Sequence, residues 1–593
     1  MDDRTESDSP GLVRARLATS LADLLLASPA SWNARPMLRT RQPDGHWHSL
    51  TRGEVQRSVL RIAAWLQARG IKVGDRVGIL SHNKAEWLMS DFAILAIRAV
   101  TVPAYFTDPA EAVEHVFRDA GVSLILVEPG EQQQKLVGLD IPAVPLTGDG
   151  ETLAAIAADA SWDGRLVAVA ARRDDLATLI YTSGTTGLPK GVMLTHDNLL
   201  SDVAGCIEAV PGLSNEVFLS FLPVSHAFER TVGHFLPVAE GGEIAYAEGV
   251  STLMRDIPEV RPTIMISVPR LYEKIYAGVM EKLQQGPAFK RYLFAQAQRL
   301  GDERRRLGLQ GKELSGGRAV AWKLLDRLVN AQLRQRLGGR LRLFVSGGAA
   351  LNPQIARFLL SAGITVLPGY GLTEAAPVLS VNREHRIKPE TVGPALPGIE
   401  LKLSAEGELL ARGPVVMLGY WNRPEETAEA IDAEGWLHTG DRAEIDAEGY
   451  VSIVDRVKEI MVLSNGENVP PAVVEQHLVL DPCVLQAMIV ADGRDYVAAL
   501  VVPEVGMLQQ HWQRKMGRPL PQAWRTDAGV LEWMLARMAT YTHDLASYMQ
   551  VHRLMFVDEE WMQESGLLTP TLKLKRRMIV DLHKDDIERL YAE

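Results

Sequence analysis

The chain has 593 residues, 47% of them hydrophobic and 23% charged, and a formal net charge of −11. That length exceeds one core and predicts several domain-sized units, and the acidic balance excludes a general nucleic-acid binder, which needs a basic surface. Two cysteines, Cys206 and Cys483, show no metal-ligand spacing and cannot build a disulfide framework, as expected of a protein of the reducing cytoplasm.

Residues 1–16 begin acidic and polar, resemble neither a secretory signal nor a transit peptide, and are expected to be a disordered tail. Residues 50–69 carry apolar side chains at helical spacing (Val55, Val59, Ile62, Leu66), with Thr51 as cap and Gly70 as stop. Residues 75–80 read as a strand. The apolar stretch 92–106 is broken by Arg98 and Pro103. It falls short of the roughly 18 residues a membrane span needs, so it reads as core.

From there helix and strand signals alternate, as in an α/β chain with parallel-rich sheets packed by helices. Apolar runs at 176–181, 217–222, 263–268, 341–345 and 364–367 each end in a Gly-, Pro- or hydroxyl-rich loop. Ligands of open α/β sheets bind outside the carboxyl ends of strands, so five such loops predict one crevice. Asn352-Pro353 marks a helix start.

Residues 180–191 form the most distinctive loop. Thr182, Ser183, Thr185 and Thr186 alternate with Gly184 and Gly187, and Lys190 follows. Glycine allows backbone N–H groups to close on an anion, hydroxyls add donors, and lysine adds positive charge. A nucleoside triphosphate is the natural ligand, although G-x-x-x-x-G-K-[ST] is absent from the chain.

Residues 273–342 hold 16 Lys/Arg against 6 Asp/Glu, interleaved with Ile275, Tyr276, Phe289, Tyr292 and Phe294. This is either a solvated helical insertion or a surface that touches anionic lipid. After Asp455 the pattern becomes that of a smaller α+β unit of about 135 residues, a normal domain size. Its runs 484–491 and 496–502 are joined through Gly493 as a hairpin.

Four motifs stand in order: Tyr-Thr-Ser-Gly-Thr-Thr-Gly-Leu-Pro-Lys-Gly (181–191), Tyr-Gly-Leu-Thr-Glu (370–374), Thr-Gly-Asp (439–441) and Asp-Arg-Val-Lys (455–458). Together they resemble the adenylate-forming superfamily of acyl-CoA synthetases, luciferases and peptide-synthetase adenylation domains. Within it, Leu-Pro-Val-Ser-His-Ala-Phe-Glu-Arg (222–230), Ser-Gly-Gly-Ala-Ala-Leu (346–351), the 273–342 insertion and Leu-Thr-Pro-Thr-Leu-Lys-Leu-Lys-Arg (568–576) are similar to long-chain fatty acyl-CoA synthetases.

The resemblance implies an N-terminal adenylation domain over 17–455 and a mobile C-terminal domain over 456–593, hinged near Lys458. It implies ATP, Mg²⁺ and CoA, with a long-chain fatty acid converted to acyl-AMP and then to acyl-CoA. Small molecules are the partners, with no nucleic acid; were residues 273–342 the lipid-touching surface rather than the solvated insertion, they would give peripheral association with the inner face of a membrane. Transfer to a carrier protein instead of CoA needs no different core motif, and a non-catalytic binding homologue is the remaining alternative.

In the resemblance the 182–190 loop (Thr182, Ser183, Gly184, Thr185, Thr186, Gly187, Lys190) holds phosphates. Glu374 with Thr182 serves the metal and Thr373 binds phosphate. Tyr370 stacks on adenine, Gly348 and Ala349 line that pocket, Gly371 counts with the nucleotide-binding residues, and Asp441 takes the ribose with Arg456 close by. His226 counts with the catalytic set as a substrate-positioning group, because neither an ionised carboxylate nor a thiol requires a strong base. Lys573 contacts the carboxylate and α-phosphate during adenylation, with Lys575 as a second candidate because Leu572 stands where the family commonly has glycine. Gly466 lets the pantetheine arm of CoA pass close to backbone.

Overall fold

The computed structural model describes residues 9–592 apart from 168, 183–188, 457–459, 564 and 570–571, and omits the side chains of Asp455 and Arg456. Two sheets dominate the first three-quarters of the chain. One has seven strands in the order Gly419–Tyr420, Lys190–Thr195, Leu176–Thr182, Val100–Ala104, Arg76–Leu80, Val122–Val127, Ala143–Pro145. The other has eight, in the order Val378–Val381, Thr365–Gly371, Leu343–Ser346, Ile264–Ser267, Val217–Ser220, Glu243–Tyr246, Pro36–Arg41, Trp47–Thr51.

Four of the five apolar runs singled out in the sequence are consecutive neighbours in the second sheet, and all pair in parallel. Their following loops therefore leave from the same edge, as the crevice argument requires. The fifth, Leu176–Thr182, lies in the seven-stranded sheet. The apolar stretch at 92–106 resolves into buried helix Ala85–Ala96 and buried strand Val100–Ala104. Among the described residues, no helix is long and apolar enough to cross a membrane.

A buried ion pair ties the layers together. Arg230 donates from Nε to Asp91 at 2.9 Å and from Nη1 to the Thr178 hydroxyl at 2.7 Å, and all three are almost fully buried. Asp91 comes from helix Ala85–Ala96, and Thr178 from the seven-stranded sheet. Arg230 leads out of the eight-stranded one. Two buried charges hold here because each is met by hydrogen-bonding partners.

Thr51 caps helix Arg52–Ala68 through a full capping box with Glu54, and Asn352 caps Pro353–Ser361, its side chain accepting from the Gln354 N–H at 2.8 Å. The N-terminal segment differs from expectation. Pro10–Leu17 is a helix, where a disordered tail over 1–16 was expected; residues 1–8 lie outside the described ones. Ser9 caps it, Pro10 opens it, and Leu12 and Ala15 are buried, while Arg14 Nη1 donates to the Ala239 carbonyl at 2.8 Å.

A four-stranded antiparallel sheet (Glu400–Leu403, Glu408–Arg412, Leu437–Ile445, Val451–Arg456) follows the two large sheets. Beyond it, Val484–Val490 and Val497–Pro503 form an antiparallel hairpin, and Val551–Phe556 adds in parallel. Helices Pro471–Leu478, Val505–Met516 and Ala528–Tyr541 pack on this sheet around their own core, which includes Val474, Trp512, Trp533 and Met534. A helical insertion, Pro269–Gln285, Ala288–Leu309 and Gly316–Leu325, accounts for most of the basic stretch.

Candidate active site

Strand Leu176–Thr182 turns back into Lys190–Thr195, and the antiparallel register places Thr182 opposite Lys190. The two ends of the polar loop are thus held together by strand pairing. Ser183, Gly184, Thr185, Thr186 and Gly187 lie outside the described residues. Lys190 Nζ sits 5.2 Å over the Tyr420 ring and 3.9 Å from Glu426 Oε1, and Tyr420 donates its hydroxyl to Glu374 Oε1 at 2.8 Å. Burial, then the Glu374 charge, raises the Tyr420 phenol far above its usual range, so it stays a donor. The Glu374 carbonyl accepts from Met417 N–H at 2.9 Å, and Thr373 beside it is buried. One bridging phenol therefore joins the loop lysine to the carboxylate of the second motif.

The donor set at Thr182 and Glu374 suits Mg²⁺, which binds through one or two protein oxygens and completes its shell with phosphates and water. Among the described residues no cluster of three or more His, Cys, Asp or Glu could hold a metal without substrate.

The second wall of the crevice is built by strand ends. Tyr370, near the end of Thr365–Gly371, donates its hydroxyl to the carboxylate of Asp441. Asp441 is buried within Leu437–Ile445 and lies opposite Arg456 across the strand pair; the Arg456 side chain is not among those described. Gly371 packs so tightly on Pro377 that a Cβ would lie 1.8 Å from its carbonyl oxygen. Gly348 has φ +80, in the region that favours glycine, and a Cβ there would sit 3.4 Å from Val268. Ala349 next to it is exposed.

His226 lies in the loop after strand Val217–Ser220. Its Nδ1 accepts from the Phe228 N–H at 3.2 Å, which leaves the neutral ring's proton on Nε2. Burial, aided by the positive charge of Lys573, lowers its pKa to about 4. Lys573 belongs to the small domain. Its backbone closes a turn with Thr569, whose N–H donates to the Lys573 carbonyl at 2.8 Å. The Lys573 N–H in turn donates to the Thr569 hydroxyl at 3.0 Å. The charge of Lys575, two residues on, acts on Asp108 instead; burial raises the Asp108 carboxyl to about 6, with Lys575 and then Lys135 pulling the other way. Arg576 forms a two-pronged pair with Glu475 at 2.6 and 2.5 Å, inside the small domain.

Three further contacts seat the small domain. Arg270 donates to the Leu485 carbonyl at 2.7 Å and to Glu560 at 3.2 Å. Asn352 Nδ2 donates to the Gln476 carbonyl at 3.0 Å. Beside this seam a cavity of about 240 Å³ opens, lined by Phe221, Val268, Leu271, Ile275, Leu337 and Leu572, with Arg270, Lys274, Lys282 and Arg336 as charged members. Phe221 precedes the His226 loop and Leu572 precedes Lys573, so the cavity is lined from both segments that carry these residues.

Gly466 lies apart, at the tip of the short hairpin Met461–Val462 and Asn468–Val469; its φ of +88 requires glycine-like freedom, and an added Cβ would meet no atom within 4 Å. Lys458 is outside the described residues.

Residues 28–421 match the family described as AMP-binding enzyme, and residues 458–593 match the AMP-binding enzyme C-terminal domain. The chain belongs to the AMP-binding enzyme family. This family member is 33% identical to the long-chain-fatty-acid–CoA ligase FadD15 of Mycobacterium bovis, over 92% of this chain and 93% of that one. The fold matches the A domain of carboxylic acid reductase from Segniliparus rugosus, solved with AMP and a co-purified carboxylic acid. There the TM-score is 0.75 at 21% identity, covering 100% of this chain and 98% of that one. It also matches ATP-bound MatB from Rhodopseudomonas palustris, with TM-score 0.70 at 23% identity and coverage of 95% and 99%.

In this AMP-binding enzyme the described motif residues form two linked sets, Lys190 through Tyr420 to Glu374 and Tyr370 to Asp441, both rooted in the 370–374 motif. Sequence reasoning missed Tyr420, which pairs on the edge of the seven-stranded sheet opposite Val192; the Gly419-Tyr420-Trp421 run was the one visible sign. It also missed Asp108 as the group on which the charge of Lys575 acts.

Proposed function

We propose that this enzyme activates a long-chain fatty acid with ATP and passes the acyl group to CoA, and that its present arrangement is the adenylating one. The observation that carries this reading is that the charge of Lys573 reaches His226 across the two domains, while its neighbour Leu572 lines the apolar cavity together with Phe221. A fatty carboxylate attacks the α-phosphorus of ATP, the bond to the bridging oxygen breaks, and pyrophosphate leaves. The sulfur of CoA, as thiolate, then attacks the acyl carbon and AMP departs.

The first step brings anions together, so charge stabilisation dominates. Lys573 neutralises the attacking carboxylate and the α-phosphate. Thr182, Ser183, Gly184, Thr185, Thr186, Gly187 and Lys190 grip the β- and γ-phosphates, and Thr373 assists. Mg²⁺, held by Glu374 and Thr182, supplies further neutralisation when bound. Tyr370, Gly371, Gly348 and Ala349 receive the base, and Asp441 and Arg456 the ribose. Neutral His226 offers an Nε2–H donor that positions the carboxylate without exchanging protons. The apolar cavity takes the acyl chain. Once pyrophosphate leaves, the C-terminal domain swings about Lys458 and brings Gly466 to the path of the pantetheine arm.

The basic insertion suits a surface role. Phe289, Tyr292, Val320 and Leu324 are exposed among its lysines and arginines, the pattern of a helix surface that meets anionic lipid. Fatty acid arriving from such a surface would reach the cavity past Lys274 and Arg336.

Incubation with a panel of fatty acids, ATP, Mg²⁺ and CoA should give AMP and acyl-CoA in equal amounts. AMP released only with a carrier protein would overturn the acceptor, and no AMP at all would overturn the activity. Co-sedimentation with anionic vesicles should weaken as salt rises; binding insensitive to both salt and lipid charge would remove the surface role.

A further inference from the structure

We propose that Leu572 is a removable wall of the acyl cavity, contributed by the small domain during adenylation and withdrawn for thioester formation. This rests on reading the cavity as the acyl site.

Among the described residues that line the cavity, Leu572 alone comes from beyond residue 337. The rest belong to the large domain, and Leu572 packs against the large hydrophobic core as well as against its own domain's. Its backbone is the second observation. Leu572 has φ +63, a left-handed conformation that glycine adopts without penalty and a branched residue does not. A leucine at such a turn carries a backbone cost that glycine would avoid, and its side chain lines the cavity.

The third observation couples the wall to the docking. Arg270, another lining residue, makes the seam contacts to the Leu485 carbonyl and Glu560. Undocking the small domain would therefore release Arg270 and remove Leu572 together. Because Leu572 adjoins Lys573, it would touch the methylenes nearest the carboxylate. The acyl chain is then held on all sides while its carboxylate reacts. It loses that proximal contact when the thiol must approach.

The test compares the two half-reactions in the full-length enzyme. Fatty-acid-dependent ATP–pyrophosphate exchange reports adenylation, and acyl-CoA formation from supplied acyl-adenylate reports transfer. Leu572→Ala and Leu572→Gly should both raise the fatty acid KM in exchange by about tenfold, the effect of losing one buried leucine contact. The rise should be the same for decanoate as for palmitate, with kcat within about twofold, and transfer should be unchanged. If Leu572→Gly behaves as wild type while Leu572→Ala is impaired, the residue only shapes the Lys573 turn and the wall is refuted. Equal damage to both half-reactions also refutes it.

Gly278→Leu separates this from failure of the cavity reading itself. Gly278 lines the cavity, and an added Cβ there meets no atom within 4 Å. It lies about 12 Å along its helix from Arg270. It should narrow chain-length acceptance in both half-reactions. An unmoved chain-length profile would overturn the acyl site, whatever the Leu572 variants do.

Discussion

The charge of Lys573 in the small domain acts on His226 in the large one, adding to burial in lowering the imidazole pKa to about 4. A histidine so placed is neutral across the physiological range, since a lowered pKa means protonation only below about 4. Adenylation should then show no acid limb near pH 6.5 that His226→Asn removes; protonation near pH 4 would set two cations against each other and end activity. A limb at 6.5 that vanishes in His226→Asn would show the residue acting as a titrating base.

Asp441 and Tyr370 hold each other by a charge-assisted hydrogen bond. Asp441→Asn weakens both this bond and the grip proposed for the ribose. Loss of a bond to a charged group is worth about 1.5–3 kcal/mol, so the ATP KM should rise roughly ten- to hundredfold. The fatty acid KM should hardly move. A change confined to the fatty acid KM would misplace the residue.

Tyr420 orients Glu374 through its hydroxyl. Partners that orient a metal-binding carboxylate typically matter about 10–100-fold in metal affinity. Tyr420→Phe should therefore raise the Mg²⁺ concentration for half-maximal adenylation about tenfold, with excess Mg²⁺ restoring the maximal rate. A lower maximal rate at unchanged Mg²⁺ dependence would contradict the assignment.

Arg230 sits within the His226 motif yet serves the fold, through Asp91 and Thr178. Removing one partner of a buried pair costs about 3–5 kcal/mol. Arg230→Ala should lose that much in urea denaturation, and Asp91→Ala with Arg230→Met together should lose less than the two single changes summed. A near-neutral Arg230→Ala would show that the pair carries no structural load.

Much of this was legible in the chain because the physics is local. Apolar runs ending in glycine or proline marked the parallel strands, and Thr51 and Asn352 marked helix starts by side chains that cap their own neighbours. The helix Pro10–Leu17 was hidden behind an acidic start, since its stability comes from burying Leu12 and Ala15 on distant elements. Tyr420 escaped for the same reason: its bond to Glu374 spans 46 residues and leaves no periodic trace. Lys573 and Lys575 were indistinguishable by type and spacing. Only the docking of two domains sets the charge of one to act on His226 and that of the other on Asp108.

The most direct test measures both half-reactions in Lys573→Ala. Removing a charge aimed at the transition state should lower ATP–pyrophosphate exchange by about 10²–10³-fold, while acyl-CoA formation from supplied acyl-adenylate stays near wild type. Lys575→Ala should have the smaller effect on exchange. An equal fall in both half-reactions, or a larger loss of exchange in Lys575→Ala, would contradict the account.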